Sequence, residues 1–172
     1  MESITLRQVL DSRDRRHRQR CSLIKEYNNT IISLLLNIPG HLKDKKEYRD
    51  LLIEAFTIVE KTLKDKNISI LFKSIKFHNT GPEAIFVVDA QLTETKKMLI
   101  QIEDYHELGR LFDFDVYDSK NTPISRTALN FEERKCFICN NPAKVCARNQ
   151  THSLADLLIN IEKRIANRIV IS

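Results

Sequence analysis

The spacing of apolar positions changes along the chain, and each change predicts an element. Leu6, Val9, Leu10, Cys21, Ile24, Ile31, Leu35 and Ile38 share one helical stripe, so residues 5–37 read as a helix that Pro39-Gly40 ends. Arg13 and His17 interrupt that stripe, which turns part of this face toward a pocket. Leu51, Leu52, Ala55, Phe56, Val59 and Leu63 predict a second helix over 45–65, followed by a turn at 65–67. The period then shortens. Residues 68–72 and 75–77 read as extended, and Ile85-Phe86-Val87-Val88 as a short buried strand. Leu92, Met98, Leu99 and Ile102 give a helix over 92–104. Residues 111–117 alternate as a strand, and 123–126 return beside it after a turn at 118–121. A Cys-rich segment fills 136–148, and Leu154, Leu157, Leu158, Ile161 and Ile165 mark a last helix from 153 to about 169. The expected class is α+β: a small mixed or antiparallel sheet flanked by N- and C-terminal helices. The 172 residues are expected to make a single domain, with a helical part at 5–66, a sheet core at 68–130 and a Cys-rich segment plus helix at 131–172.

Composition narrows the chemistry. The three glycines, Gly40, Gly81 and Gly109, stand too far apart for a Rossmann or Walker phosphate loop. Apolar residues at 42% and charged residues at 30% describe an ordinary globular chain. Lys and Arg number 28 against 23 acidic residues, a net charge of +5 that favours an anionic partner. The longest apolar run, Ile31-Ile32-Ser33-Leu34-Leu35-Leu36, is too short to cross a bilayer, and no signal-peptide pattern opens the chain. No membrane partner and a cytoplasmic location are the expectations, with cysteines as thiols or metal ligands.

The sharpest feature is Phe112-Asp113-Phe114-Asp115-Val116. On a strand, alternate side chains share a face, so Asp113 and Asp115 project together. Two adjacent carboxylates repel unless a cation lies between them, and an oxygen pair of this kind suits Mg²⁺ beside substrate phosphates. An apolar-Asp-apolar-Asp-apolar pattern is what nucleotidyl transfer uses. A solvated edge strand is the competing reading. Five arginines crowd residues 13–20, and Arg13, Arg16 and Arg20 share a helix face suited to phosphates; a solvated basic face is the rival there. Cys136-x₂-Cys139-x₆-Cys146-x₅-His152 supplies three thiolates and an imidazole, a tetrahedral zinc set, or else small buried residues and a helix-start histidine. Gly109, Arg110 and His106 lead into the Asp strand: Gly109 permits close backbone approach, and His106 is either a base or structural.

These blocks occur together in a known order. Ser12-Arg13-Asp14-x-Arg16, Gly81-Pro82-Glu83, His106-x-Leu108-Gly109-Arg110-Leu111-x-Asp113-x-Asp115-Val116, Ile124-Ser125-Arg126, Arg134-x-Cys136-x-x-Cys139 and Ala143-x-x-Cys146-Ala147-Arg148-x-x-x-His152 run in sequence to Asp156-Leu157-Leu158. The chain resembles the apo-citrate lyase phosphoribosyl-dephospho-CoA transferases, also called citrate lyase holo-acyl-carrier-protein synthases. It departs from them at Glu107, where proline is expected, and near Gln19-Arg20, where an expected glutamine is shifted or replaced. The resemblance implies a nucleotidyltransferase-type enzyme. It moves a phosphoribosyl-dephospho-CoA unit from a triphosphoribosyl-dephospho-CoA donor to a serine of the citrate lyase acyl-carrier subunit, and diphosphate leaves. It further implies Mg²⁺ on Asp113 and Asp115, with Asp115 accepting the serine proton. Glu83 is the expected third carboxylate, with Glu103 as the weaker choice. Arg110 and His106 flank the catalytic site. Arg13, Arg16, Gly81, Gly109, Ser125, Arg126 and Arg148 form the substrate side. The basic surface suits an acidic carrier protein.

Two rivals stand beside this reading. One is the equivalent transferase acting on the malonate decarboxylase carrier. The other is a non-catalytic, zinc-containing nucleic-acid-binding module. It leaves the Asp pair unexplained and finds no aromatic residues among the arginines, so no nucleic acid is the expected partner. A nucleotidyltransferase-like core is the expected fold, although no Gly-Ser or Gly-Gly turn stands about ten residues before Asp113, where such enzymes usually carry it.

Overall fold

The computed structural model describes residues 4–169. Strands β1 (Thr30–Leu36), β2 (Ile70–His78), β3 (Gly81–Val88), β4 (Phe112–Tyr117) and β5 (Pro123–Ile124) form one sheet in the order β2-β3-β1-β4-β5. Every neighbouring pair is antiparallel. Among the described residues the α-helices are α1 (Leu6–Tyr27), α2 (Lys46–Asp65), α3 (Leu92–Tyr105), α4 (Ala143–Asn149) and α5 (Leu154–Ile169), with 3₁₀ turns at Gly109–Leu111 and Thr127–Leu129. The class is α+β.

The helix expected over 5–37 is two elements. Thr5 opens α1 with a capping box to Gln8, and Asn28 ends it in the left-handed conformation at φ 50°. The apolar run after Asn28 becomes β1, the central strand. It reads without alternation because both its faces are covered. Ile32 and Leu34 pack with Phe86, Phe112, Phe114 and Val116 against Leu52, Val59 and Leu63 of α2 and Leu99 of α3. Ile31 packs with Ile85, Val87 and Leu23 of α1 on the opposite face. Ile31, Ile32 and Leu34 are 0% exposed, and burial of each contributes about 1.5–3 kcal/mol. The two extended segments expected near residue 70 are one strand, β2. A register shift between Ile70 and Phe72 breaks its alternation.

Ile161 brings α5 onto the α2/α3 side of the sheet, and Lys45 at the start of α2 reaches Glu162 at 2.8 Å. The return from β4 passes through β5 and a 3₁₀ turn at Thr127–Leu129 into the Cys-rich segment. A lone bridge between Lys135 and Pro142 folds that segment back on itself. It thereby stands opposite the Asp-bearing face of β4.

Candidate active site

Strict alternation on β4 separates its residues. Phe112, Phe114 and Val116 are wholly buried in the core, so Asp113, Asp115 and Tyr117 project from the other face. Cross-strand register places Asp113 beside Leu35 and Asp115 beside Ser33 of β1.

The outer edge of β4 is only partly paired, because β5 reaches Val116 and Tyr117 and stops. Helix α3 supplies what a longer strand would have. The Phe114 N–H donates to Glu103 Oε1 at 3.2 Å, and Lys96 Nζ donates to the Phe114 carbonyl at 2.5 Å. Lys96 and Glu103 are 5% and 2% exposed and two turns apart, so one helix face holds both edge groups of the residue between the aspartates. Burial lowers the proton affinity of Lys96, against the pull of Glu103 and Asp115. Burial raises that of Glu103, against Arg134 and Lys96.

Two arginines extend the network. Arg134 donates from Nη1 to Asp113 Oδ1 at 3.0 Å and from Nη2 to Glu103 Oε1. Arg126 donates to Asp104 Oδ1 at 2.7 Å and lies 3.8 Å from Glu103 Oε2. Among the described residues no basic side chain ion-pairs with Asp115. Its carboxyl is held above the usual carboxylate range by burial, then by the Asp113 charge, with Lys96, Arg134 and Arg20 pulling the other way. Arg20 reaches this face from α1, stacked 4.2 Å over the Tyr117 ring and bonded to Asn121 Oδ1 at 3.0 Å.

These groups open onto a cavity of about 830 Å³. Its lining includes the charged and polar Asp113, Asp115, Lys96, Ser125, Arg126 and Arg134 and the apolar Phe137, Leu154 and Leu157. Cys136, Cys146 and His152 also stand in its wall. With Cys139 they form a compact cluster: one ligand atom from each of the four lies within 4.8 Å of the others. Cys139 Sγ is 3.5 Å from Cys146 Sγ and 3.3 Å from His152 Nε2. Burial and the two neighbouring thiols push the Cys146 thiol up to about 11. Burial opposes ionisation of Cys136 too, but hydrogen bonds from the Ile138 and Cys139 amides and from the Cys146 and Cys139 thiols together outweigh it and lower that thiol. The set is compatible with a tetrahedral metal ion.

The other expected site residues separate. Glu83 projects from β3 into a different cluster, bonded to Arg15 at 3.0 Å and Arg16 at 3.3 Å, with His78 Nε2 3.3 Å away. It lines a second cavity of about 170 Å³ with Arg13, Arg16 and Gly81, across β1 from the aspartates. Arg110 lies 5.3 Å over the Phe137 ring, its ionisation opposed by burial and then by Arg134, Arg126 and Arg164. Gly109 approaches protein backbone: a Cβ there would stand 2.3 Å from the Ile102 carbonyl oxygen. The His106 ring accepts the Leu108 N–H through Nδ1 at 3.2 Å and lies 3.7 Å from Glu54 Oε1 through Nε2, outside the large cavity. Ser125 accepts the Ala128 N–H at 3.1 Å on the cavity rim, and Arg148 is exposed on α4.

Lys96 and Arg134 were not singled out as site residues from the sequence. A signal existed for the α3 pair: with Leu92 and Leu99, Lys96 and Glu103 occupy the inward stripe at i, i+4, i+7 and i+11, where charge is costly unless paired.

Comparison with known proteins fixes the class and then the family. A protein of Streptococcus pyogenes serotype M18 named probable apo-citrate lyase phosphoribosyl-dephospho-CoA transferase is 34% identical over 168 residues, covering 94% of this chain and 85% of that one. The Citrobacter koseri apo-citrate lyase phosphoribosyl-dephospho-CoA transferase is 29% identical over 160 residues, covering 93% and 87%. A longer Leuconostoc mesenteroides protein named Protein CitXG is 33% identical over 168 residues, 96% of this chain and 36% of its own length. The class is a transferase. The family model described as apo-citrate lyase phosphoribosyl-dephospho-CoA transferase matches residues 4–168, and the chain belongs to that family. No helix among the described residues is long and apolar enough to cross a membrane.

Proposed function

We propose that this protein transfers a phosphoribosyl-dephospho-CoA unit from its triphosphoribosyl-dephospho-CoA donor to a serine of the apo-citrate lyase acyl-carrier subunit, as a nucleotidyltransferase-type enzyme. The observation that carries the reading is the Asp113/Asp115 pair in one cavity with Lys96, Arg126 and Arg134. In this reading the serine oxygen bonds to the donor's inner phosphorus. The bond from that phosphorus to the bridging oxygen breaks, and diphosphate leaves with the electron pair. Asp115 accepts the serine proton. Arg126 and Arg134 neutralise phosphate oxygens in a site where little covalent work falls to the protein. Arg13 and Arg16 serve the substrate from the α1 side. The apolar lining residues Phe137, Leu154 and Leu157 accommodate part of the dephospho-CoA unit.

The donor set on β4 fits Mg²⁺: two carboxylates on one face, close enough for the Asp113 charge to raise the cost of ionising Asp115. Asp113 and Asp115 would hold it, and the ion would supply charge neutralisation for the leaving diphosphate. The Cys136, Cys139, Cys146 and His152 set suits structural Zn²⁺.

Mass spectrometry of the apo-carrier serine after incubation with enzyme, donor and Mg²⁺ tests the reading. The expected result is a mass increase of one phosphoribosyl-dephospho-CoA unit, lost in Asp113→Asn and Asp115→Asn. An unmodified carrier, or full activity in both variants, overturns it. Modification of the malonate decarboxylase carrier alone overturns the choice of partner.

A further inference from the structure

The second cavity gathers two motifs that lie nearly seventy residues apart in sequence. Ser12, Arg13 and Arg16 come from α1, and Gly81 and Glu83 from the start of β3. Lys43 and Thr80 close it from the loops. Three cationic side chains thus meet one carboxylate. That carboxylate, Glu83, is already engaged by Arg15 and Arg16, with His78 beside it. Among the described residues it is the one acidic side chain lining the cavity, so a metal ion finds no free ligand pair here. The contrast with Asp115 is direct.

Donors remain uncommitted. Lys43 is half-buried and its ammonium donates to the Ile38 carbonyl, which leaves further N–H groups for a ligand. The Thr80 hydroxyl is buried with no hydrogen-bond partner. Gly81, at φ +114°, holds the turn that brings Thr80 and Glu83 to the same wall, in a conformation that favours glycine. The inner wall is Leu35 and Leu36 of β1, and Leu35 is the cross-strand partner of Asp113. One strand spacing of about 4.8 Å therefore separates this cavity's wall from the strand bearing the aspartates, on the same side of the sheet.

We propose that this cavity is a metal-independent anion subsite that takes a diphosphate group. The diphosphate comes either from the outer end of the donor's triphosphate or from the free product. The proposal deepens the transferase reading and rests on it for the source of the ligand, but the site itself can be tested without any transfer.

The probe is inorganic diphosphate, titrated calorimetrically into the full chain in buffer with no added divalent cation. Binding is expected, retained in Asp113→Asn and weakened about tenfold in Arg13→Gln and in Thr80→Val. Arg13 is exposed, so its variant reports on the ligand rather than on folding. No binding without added divalent cation, loss in Asp113→Asn, or unchanged affinity in both cavity variants overturns the subsite. Kinetics then separate the sources. A donor KM raised alongside the diphosphate Kd assigns the site to the outer phosphates. An unchanged donor KM with lost product inhibition assigns it to free diphosphate. Diphosphate binding with no transfer to any carrier leaves the subsite standing and overturns the transferase reading instead.

Discussion

Lys96 and Glu103, two turns apart on α3, hold the carbonyl and the amide of the same residue, Phe114, between the paired aspartates. A helix here replaces a missing strand, and in doing so it fixes the direction of Asp113 and Asp115. Lys96→Met keeps the volume and removes the donor, leaving a buried carbonyl unsatisfied. The expected cost is about 1–3 kcal/mol of stability. Transfer should fall by about 10²-fold, because small displacements at reacting centres are expensive. Lys96→Arg should restore part of kcat. Chemical denaturation and steady-state kinetics check both. A stable, fully active Lys96→Met would show that the β4 edge does not depend on this bond.

Asp115 predicts opposite effects on stability and on activity. Burial, and after it the Asp113 charge, raise its proton affinity above that of the unfolded chain. Its contribution to stability is therefore full below the unfolded pKa and lost as pH rises through the folded one. At neutral pH the ionised group is a net cost, so Asp115→Asn should raise the stability of metal-free protein by about 0.5–2 kcal/mol. That gain should vanish in acid, where Asp115 is itself protonated. Activity needs the carboxylate. The acid limb of kcat/KM should lie above ordinary carboxylate values and move to lower pH as Mg²⁺ is added. Thermal melts and a pH–rate series at two Mg²⁺ concentrations decide it.

Half-exposed and two-face-covered elements differ in what their sequences reveal. β4 was legible because its alternation reports one core face and one polar face, and that alone places Asp113 and Asp115 together. α2 and α3 were legible from their stripes for the same reason. β1 was not, since a strand covered on both faces carries a continuous apolar run that a helix also carries. The Cys136–His152 spacing anticipated the cluster because its ligands are local in sequence. The cross-chain relations were hidden. Nothing in the local pattern states that Lys96 meets Phe114, or that Glu83 faces Arg16 one strand beyond β1 from Asp113. Those follow from strand order, which is a tertiary fact.

Gly109 makes a purely steric prediction. Its Cα faces the last turn of α3, and an added Cβ would stand 2.3 Å from the Ile102 oxygen and 2.6 Å from the Glu103 oxygen. Both obstacles are backbone, which cannot swing aside as a side chain does. Gly109→Ala should therefore destabilise by about 1–3 kcal/mol. Because it displaces Glu103, it should also lower kcat more than it raises donor KM. A Gly109→Ala enzyme with wild-type stability and a raised KM alone would instead mean that the glycine makes room for ligand.

The Cys136, Cys139, Cys146 and His152 cluster tests whether a metal holds the far wall of the large cavity. Three of the four residues line that wall, and the segment carrying them has one isolated bridge and the seven-residue α4 as its regular structure. A helix of that length is not stable alone. Its order must come from elsewhere, and four ligand atoms within 4.8 Å supply a cross-link if an ion joins them. Purified protein should therefore contain one equivalent of zinc. Chelation, or Cys139→Ser, should lower the melting temperature by about 10 °C, given that each kcal/mol is worth about 2–4 °C in a chain of this size. Thiol labelling should then proceed at Cys136 and Cys146, which the ion otherwise protects. Donor affinity should fall with it, since the wall that contacts the apolar part of the donor is lost. Zinc-free protein with the same melting temperature and the same slow labelling would show that packing alone orders the segment.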